Sequence, residues 1–265
     1  MTATVAVLPR SQPRPAPAGH NIVTVASGKG GVGKTWLSIT LAHALAQAGG
    51  NTLLFDGDLG LANVDVQLGL SPRHDLGGVL SGKITLADAV TRFDAGGFDI
   101  IAGRSGSGTL AALETDRIRA LRDSLAALSG RYDHVIVDLG AGIDAPVRLL
   151  TAGAGTILAV TTDEPTALTD AYAFIKITRM KHPAADIRIV VNQAASRSDG
   201  RRTFDTLAGA CRQFLKFEPV LAGIIQRDDK VKESIRRQTA LLTRHPAARA
   251  AEDVAALANH LRSGA

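Results

Sequence analysis

Between Ser27 and Thr35 the chain reads Ser-Gly-Lys-Gly-Gly-Val-Gly-Lys-Thr. Gly28, four further residues, then Gly33, Lys34 and Thr35 have the spacing of a loop that cradles phosphate, and the β-branched run Ile22 to Val25 supplies the strand such a loop follows. Phosphate chemistry asks for these residue types in this order. The glycines Gly28, Gly30, Gly31 and Gly33, with Val32 among them, let backbone amides turn inward, and the positive end of the helix starting near Lys34 adds its pull on phosphate oxygens. Lys34 is placed to neutralise β and γ phosphates, and the Thr35 hydroxyl to ligate Mg²⁺. The plainer alternative is a glycine-rich turn that binds nothing; strand, loop and helix in register weigh against it.

Carboxylates stand where further strands are expected to end. Asn51 to Phe55 reads as a buried strand opening into Asp56-Gly-Asp58, beside the crevice where open α/β sheets bind ligands. Tyr132 to Asp138 has three successive apolar residues closed by an aspartate, the pattern of a buried parallel strand that presents Asp138 to a Mg²⁺ shell. Isolated, each of these would read as a turn former or a helix cap.

The elements that must position these groups follow from periodicity. Trp36 to Ala48 has apolar residues at helical spacing and stops at Gly49-Gly50, and Asp116 to Leu128 is an amphipathic helix on Ile118, Leu121, Leu125 and Leu128. Short helical pieces are expected at Leu76 to Leu80 and Leu86 to Val90, and strands at Phe98 to Ile101, Thr156 to Thr161, Ile187 to Val191 and Val220 to Ile225. A helix follows Pro165 to about Met180, and the last runs from Ala247 to Leu261. The fold class is α/β: a mostly parallel central sheet of about seven or eight strands with helices on both faces.

The 265 residues suffice for one such domain, spanning 21–265, after a tail of residues 1–20 whose Pro9, Pro13, Pro15 and Pro17 favour an extended, disordered chain. Cys211 is the single cysteine, so no internal disulfide forms and no cluster needing cysteine pairs fits. No run approaches the roughly 20 apolar residues of a membrane span, and a cytoplasmic protein is expected. The net charge is +5, and residues 176–249 hold sixteen Lys or Arg against seven Asp or Glu, an excess able to attract DNA or an anionic membrane.

The run Lys29-Gly-Gly-Val-Gly-Lys-Thr35 resembles the deviant Walker A motif of the MinD/ParA family of P-loop ATPases, and the similarity covers about residues 21 to 262. The resemblance implies a Mg²⁺-dependent ATPase that forms an ATP-dependent homodimer, with Lys29 reaching the nucleotide of the other subunit. It implies that Asp56 supports the Mg²⁺ water shell, that Asp58 orients the attacking water, and that Asn192 reads adenine. Leu139 to Gly142 would be the second switch, and the loop Gln226 to Val231, with Gln226 and Asp228, would close over the base. Asn63-Val-Asp, Ser105-Gly106 and Gly140 resemble the FlhG/FleN branch, which implies control of flagellar site or number through a protein partner of a positioning system. The chain ends soon after Leu261 without a further basic helix, so only weak membrane contact is expected. A ParA-type DNA-binding partition role is the alternative.

Overall fold

The apolar runs form eight strands: β1 (Ile22–Ser27), β2 (Thr52–Gly57), β3 (Thr91–Phe93), β4 (Phe98–Ile101), β5 (His134–Ala141), β6 (Thr156–Thr161), β7 (Ile187–Ala194) and β8 (Val220–Gln226). These come from a computed structural model that describes residues 19–103 and 114–263. Residues 1–18 of the proline-rich segment, and the Ser105-Gly106 pair, lie outside the described residues. One sheet holds all eight strands in the order β3-β4-β2-β5-β1-β6-β7-β8. Every neighbouring pair is parallel except β3 with β4. That pair is a hairpin the sequence reading missed: a three-residue strand is too short to show a period, and its turn closes at Gly97, at φ 68°.

The helices are α1 (Lys34–Gln47), α2 (Val64–Leu68), α3 (Leu76–Leu80), α4 (Thr115–Ser129), α5 (Ala145–Thr151), α6 (Pro165–Lys181), α7 (Arg197–Ala210), α8 (Asp229–Arg236), α9 (Leu241–Arg244) and α10 (Arg249–Arg262). Two apolar layers flank the sheet, as a parallel sheet requires. In one, Ile118, Leu125, Phe174, Ile175, Phe204 and Leu207 cover residues such as Leu53, Val135 and Ile189. In the other, Leu37, Leu41, Leu45, Val254 and Leu257 cover Val25, Leu54, Ile136 and Val190. Each fully buried leucine adds roughly 2 kcal/mol to the balance against chain entropy.

Helix α1 departs from the one-sided stripe its leucines suggest. It is buried nearly all round, including Ser38, Thr40 and His43, because α10 and α9 close over its outer side. The helix that carries the glycine loop is therefore held from every direction. Strand β5 also runs beyond Asp138 to Ala141, and β7 continues through Asn192 to Ala194. Both extensions bring site residues into the sheet rather than into loops.

Candidate functional site

Register decides where the carboxylates meet. On the β2–β5 ladder Asp56 pairs with Asp138, and on the β1–β5 ladder Asp138 pairs with Val25, just before the glycine loop. Both side chains are buried, at 0 % and 1 % exposure. Asp56 accepts the amides of Asn63 and Val64 at 3.1 Å each, while Asp138 accepts the Ser38 hydroxyl at 2.9 Å and also that of Thr35. Burial, then the adjacent Asp138 carboxyl, push Asp56 up to about 8; burial pushes Asp138 up to about 6 against the pull of its hydroxyl donors and Lys34. Two desolvated carboxyls beside a hydroxyl form an all-oxygen set that favours a hard cation. Among the described residues, no group of three or more His, Cys, Asp or Glu closes around a metal unaided, so such an ion would complete its shell with water or ligand oxygens.

Above them the loop curls as its glycines dictate. Gly33 has φ 88°, and a Cβ there would stand 2.5 Å from the Asn192 amide nitrogen, so only glycine fits. Gly28 serves differently: its Cα faces the α6 backbone, where a Cβ would lie 2.1 Å from the Asp170 carbonyl oxygen. Gly28 is a packing residue and does not line the cavity. Val32 sits in the α1-side core at 3 % exposure and offers only its backbone. Lys34 is 8 % exposed and donates to the Ser27 hydroxyl at 2.9 Å; burial lowers its pKa, opposed by Asp138 and Asp58. Asp58 accepts the amides of Gly60 and Leu61 at 3.2 and 2.9 Å, and a Cβ on Gly140 would come within 3.1 Å of its carboxylate.

A cavity of about 500 Å³ opens over Gly30, Gly31, Gly33, Lys34, Thr35 and Asp58. A second lobe of about 200 Å³ shares Gly31, Gly33, Trp36 and Ile235 with it and continues to Asn192, Gln226 and Asp228. The structure thus gathers the residue expected to read a base and the two expected to close over it, and it shows other work for them. Asn192 lies within β7, 3 % exposed, and donates to the Val32 carbonyl at 2.8 Å. Gln226 donates from its backbone to Asp253 at 2.9 Å and from its amide at 3.3 Å. Asp228 caps α8, accepting the Lys230 amide at 2.9 Å and the Ala250 amide at 3.3 Å.

Five contributors escaped the sequence reading. Trp36 is buried between the two lobes, and its indole N–H has no partner among the described residues. Gln193, lining the smaller lobe, adopts φ 57°, a conformation costing a non-glycine residue roughly 1 to 3 kcal/mol. Asp253 is 4 % exposed and braces Gln226 while pairing with Arg197 at 2.7 Å. Glu164 and Thr166 hold the Lys29 ammonium at 2.5 and 2.6 Å, at the start of α6. The orphaned indole, the strained Gln193 backbone and the glycine cradle fit a ligand with phosphates at one end and a polar ring at the other.

A glycine cradle at the tip of a central parallel strand, with carboxylates on the next two strands to one side, defines a phosphate-loop nucleotide-binding domain. The family model for the CobQ/CobB/MinD/ParA nucleotide binding domain matches residues 23–241. Antiactivator FleN of Pseudomonas aeruginosa is 36 % identical over 242 residues, covering 91 % of this chain and 86 % of its own. Flagellum site-determining protein YlxH of Helicobacter pylori is 31 % identical over 221 residues, 83 % of this chain and 74 % of its own. The crystal structure of the cell division ATPase MinD of Pyrococcus furiosus superposes with a TM-score of 0.79 at 25 % identity, covering 93 % of this chain and all of that one. The Pyrococcus horikoshii MinD, complexed with Mg-ADP, superposes at 0.77 with 23 % identity over 91 % of this chain and 95 % of that one, a likeness of fold. The chain belongs to the MinD/ParA family of nucleotide-binding ATPases and is related to the flagellar regulators within it. No described helix is long and apolar enough to cross a membrane.

Proposed function

We propose that the cavity binds ATP with Mg²⁺, that the loaded chain pairs face to face with a second copy, and that hydrolysis undoes the pair. The observation that carries this reading is the Asp56–Asp138 rung beneath Thr35 and the glycine cradle, two buried carboxyls that a cation would relieve. Thr35, Asp56 and Asp138 would hold the ion or its waters; the ion would neutralise charge on the β and γ phosphates. Lys34 would exchange the Ser27 hydroxyl for phosphate. Asp58 would orient the attacking water once its loop gives up the Gly60 and Leu61 contacts, and catalysis would consist of that positioning together with charge stabilisation. Asn192, Gln226 and Asp228 would wall the adenine, with the Trp36 N–H donating to the nucleotide between them.

Lys29 is the residue that makes the pair more than two copies side by side. In the single chain it is occupied by Glu164 and Thr166. In the pair it would leave them for the nucleotide across the interface, so that each active site is complete only in company. Leu61 and Ile143, 74 % and 39 % exposed beside the cavity's rim, supply apolar surface for that meeting. Similarity to FleN and YlxH supports a cytoplasmic role in setting flagellar site or number, through a protein partner that reads the paired form.

Size-exclusion chromatography with light scattering, run beside ATP turnover, tests the reading. Asp58→Ala is expected to keep ATP, lose about a hundredfold in turnover and accumulate as a dimer. Lys29→Ala is expected to bind ATP and remain a monomer. Calorimetry showing no uptake of ATP with Mg²⁺, or a Lys29→Ala dimer equal to wild type, would overturn it.

A further inference from the structure

Helices α8 and α2 both wall the cavity, and they meet at one side chain. Val231, Lys232 and Ile235 of α8 line the smaller lobe; Ile235 also lines the larger one, together with Asn63 and Gln67 of the α2 segment. Just past α8, the side-chain amide of Gln238 donates to the Val66 carbonyl of α2 at 2.9 Å. Gly69, which closes α2 at φ 65°, abuts the same residue: a Cβ there would come within 3.2 Å of the Gln238 Cβ. The end of α8 therefore sets where the far end of α2 lies.

The near end of α2 holds the proposed chemistry. Asp56 accepts the amides of Asn63 and Val64 at 3.1 Å, and the intervening loop carries Asp58, bonded to the amides of Gly60 and Leu61. Helix α2, Val64–Leu68, is only about 7 Å long at the usual rise, so a shift at Val66 meets little that could absorb it before the Asp58 loop.

The backbone of Gln238 gives its side chain added weight. Its N–H donates to the Ile235 carbonyl at 3.0 Å and that of Thr239 to the Ser234 carbonyl at 3.1 Å, the two bonds that end a helix in a left-handed residue, most often glycine. Gln238 takes that place at φ 51°. A Cβ makes the conformation costly, and one exposed hydrogen bond returns no more than the conformation costs. Stability alone would place glycine here; glutamine adds a tie to α2 that glycine lacks. Helix α8 fully buries only Ser234, so it is free to re-seat on a ligand without opening the core.

We propose that Gln238 is a positioning residue that ties the smaller lobe to the Asp58 loop through α2, so that a base seated against α8 sets the carboxylate that orients water. The inference rests on the reading of the cavity as an ATP site. It adds that the base governs turnover as well as affinity: phosphates alone would fill the glycine cradle and leave α2 unset.

Hydrogen–deuterium exchange of the full chain, with Mg²⁺ and saturating ADP or with Mg²⁺ and saturating pyrophosphate, separates base from phosphates. In the wild-type chain ADP is expected to slow exchange across residues 59–70 about fivefold more than pyrophosphate does. In Gln238→Gly the two ligands are expected to act equally there, with the thermal midpoint not lowered. Gln238→Gly, and Gln238→Glu, which keeps the shape and removes the donor, are each expected to lower kcat for ATP about tenfold with KM held within about twofold. Equal slowing by both ligands in the wild-type chain, a difference that survives in Gln238→Gly, or wild-type kcat in both variants overturns the proposal. Where ADP slows exchange at residues 28–35 while 59–70 stay indifferent to the base, this inference alone falls; where ADP slows exchange nowhere, the nucleotide reading falls with it.

Discussion

At the end of the cavity proposed for phosphate the chain supplies neighbours in sequence, Gly30 to Thr35, whose backbone forms the wall. At the end proposed for the base Asn192, Gln226 and Asp228 come from two strand ends, and each is held by something behind it. Phosphate recognition by amides needs a particular local conformation, so it is written locally in glycines and a lysine. Walls for a flat ring need only be in place, and here Asp253 and the first turn of α10 keep them there. Loss of a phosphate contact removes charge stabilisation, whereas loss of a brace only lets a wall drift.

The largest expected difference between the ends comes from paired substitutions. Lys34→Ala should lower ATP affinity by more than about a hundredfold, and Asn192→Ala by about tenfold, measured by calorimetry at equal Mg²⁺. Equal losses would erase the contrast. Next, Asp253→Ala should raise the KM for ATP about tenfold with kcat little changed, and lower stability by roughly 1 to 3 kcal/mol, since Gln226 and Arg197 lose their shared acceptor. A fall in kcat with an unchanged KM would place Asp253 with the phosphate end instead.

A third effect separates the ends by proton uptake. With folded values raised to about 8 for Asp56 and about 6 for Asp138, from an ordinary 3.8, both carboxyls keep protons in the folded chain that the unfolded chain has released. Stability of the nucleotide-free protein should therefore fall as pH rises from about 4 to about 8, then level off. Scanning fluorimetry across that range checks the sign, and saturating Mg²⁺ and ATP should flatten the slope. A midpoint that climbs over the same range would contradict the assignment. The smallest effect belongs to the rim: Glu164→Gln frees Lys29 from an exposed partner and should favour ATP-driven dimerisation by no more than about fivefold.

Legibility in the sequence follows the same division. The loop, the aspartates that follow the apolar runs of β2 and β5, and the apolar strands were readable because each is contiguous and carries a period or a fixed spacing. Helix α7 was not, because its buried positions include Gly200, Thr203 and Ala208, which leave a faint stripe, and α8 buries only Ser234. Asn192 was expected just past its strand; the ladder instead continues through it, with a register shift between Val191 and Ala194. Asp253 had no signal at all, since a carboxylate in the middle of a surface helix looks solvated until the fold buries it. The excess of basic residues was visible, but only the ion pairs reveal which of them are already spent.

Helix α6 spans about 25 Å, given its seventeen residues and the usual rise. Its first turn grips Lys29, its Asp170 backbone presses on Gly28 with no room for a methyl group, and its last turn carries Met180 and Lys181. A rod gripped this closely joins the two tips of the molecule mechanically: were the proposed nucleotide to move the glycine loop, the far end would feel it as a tilt.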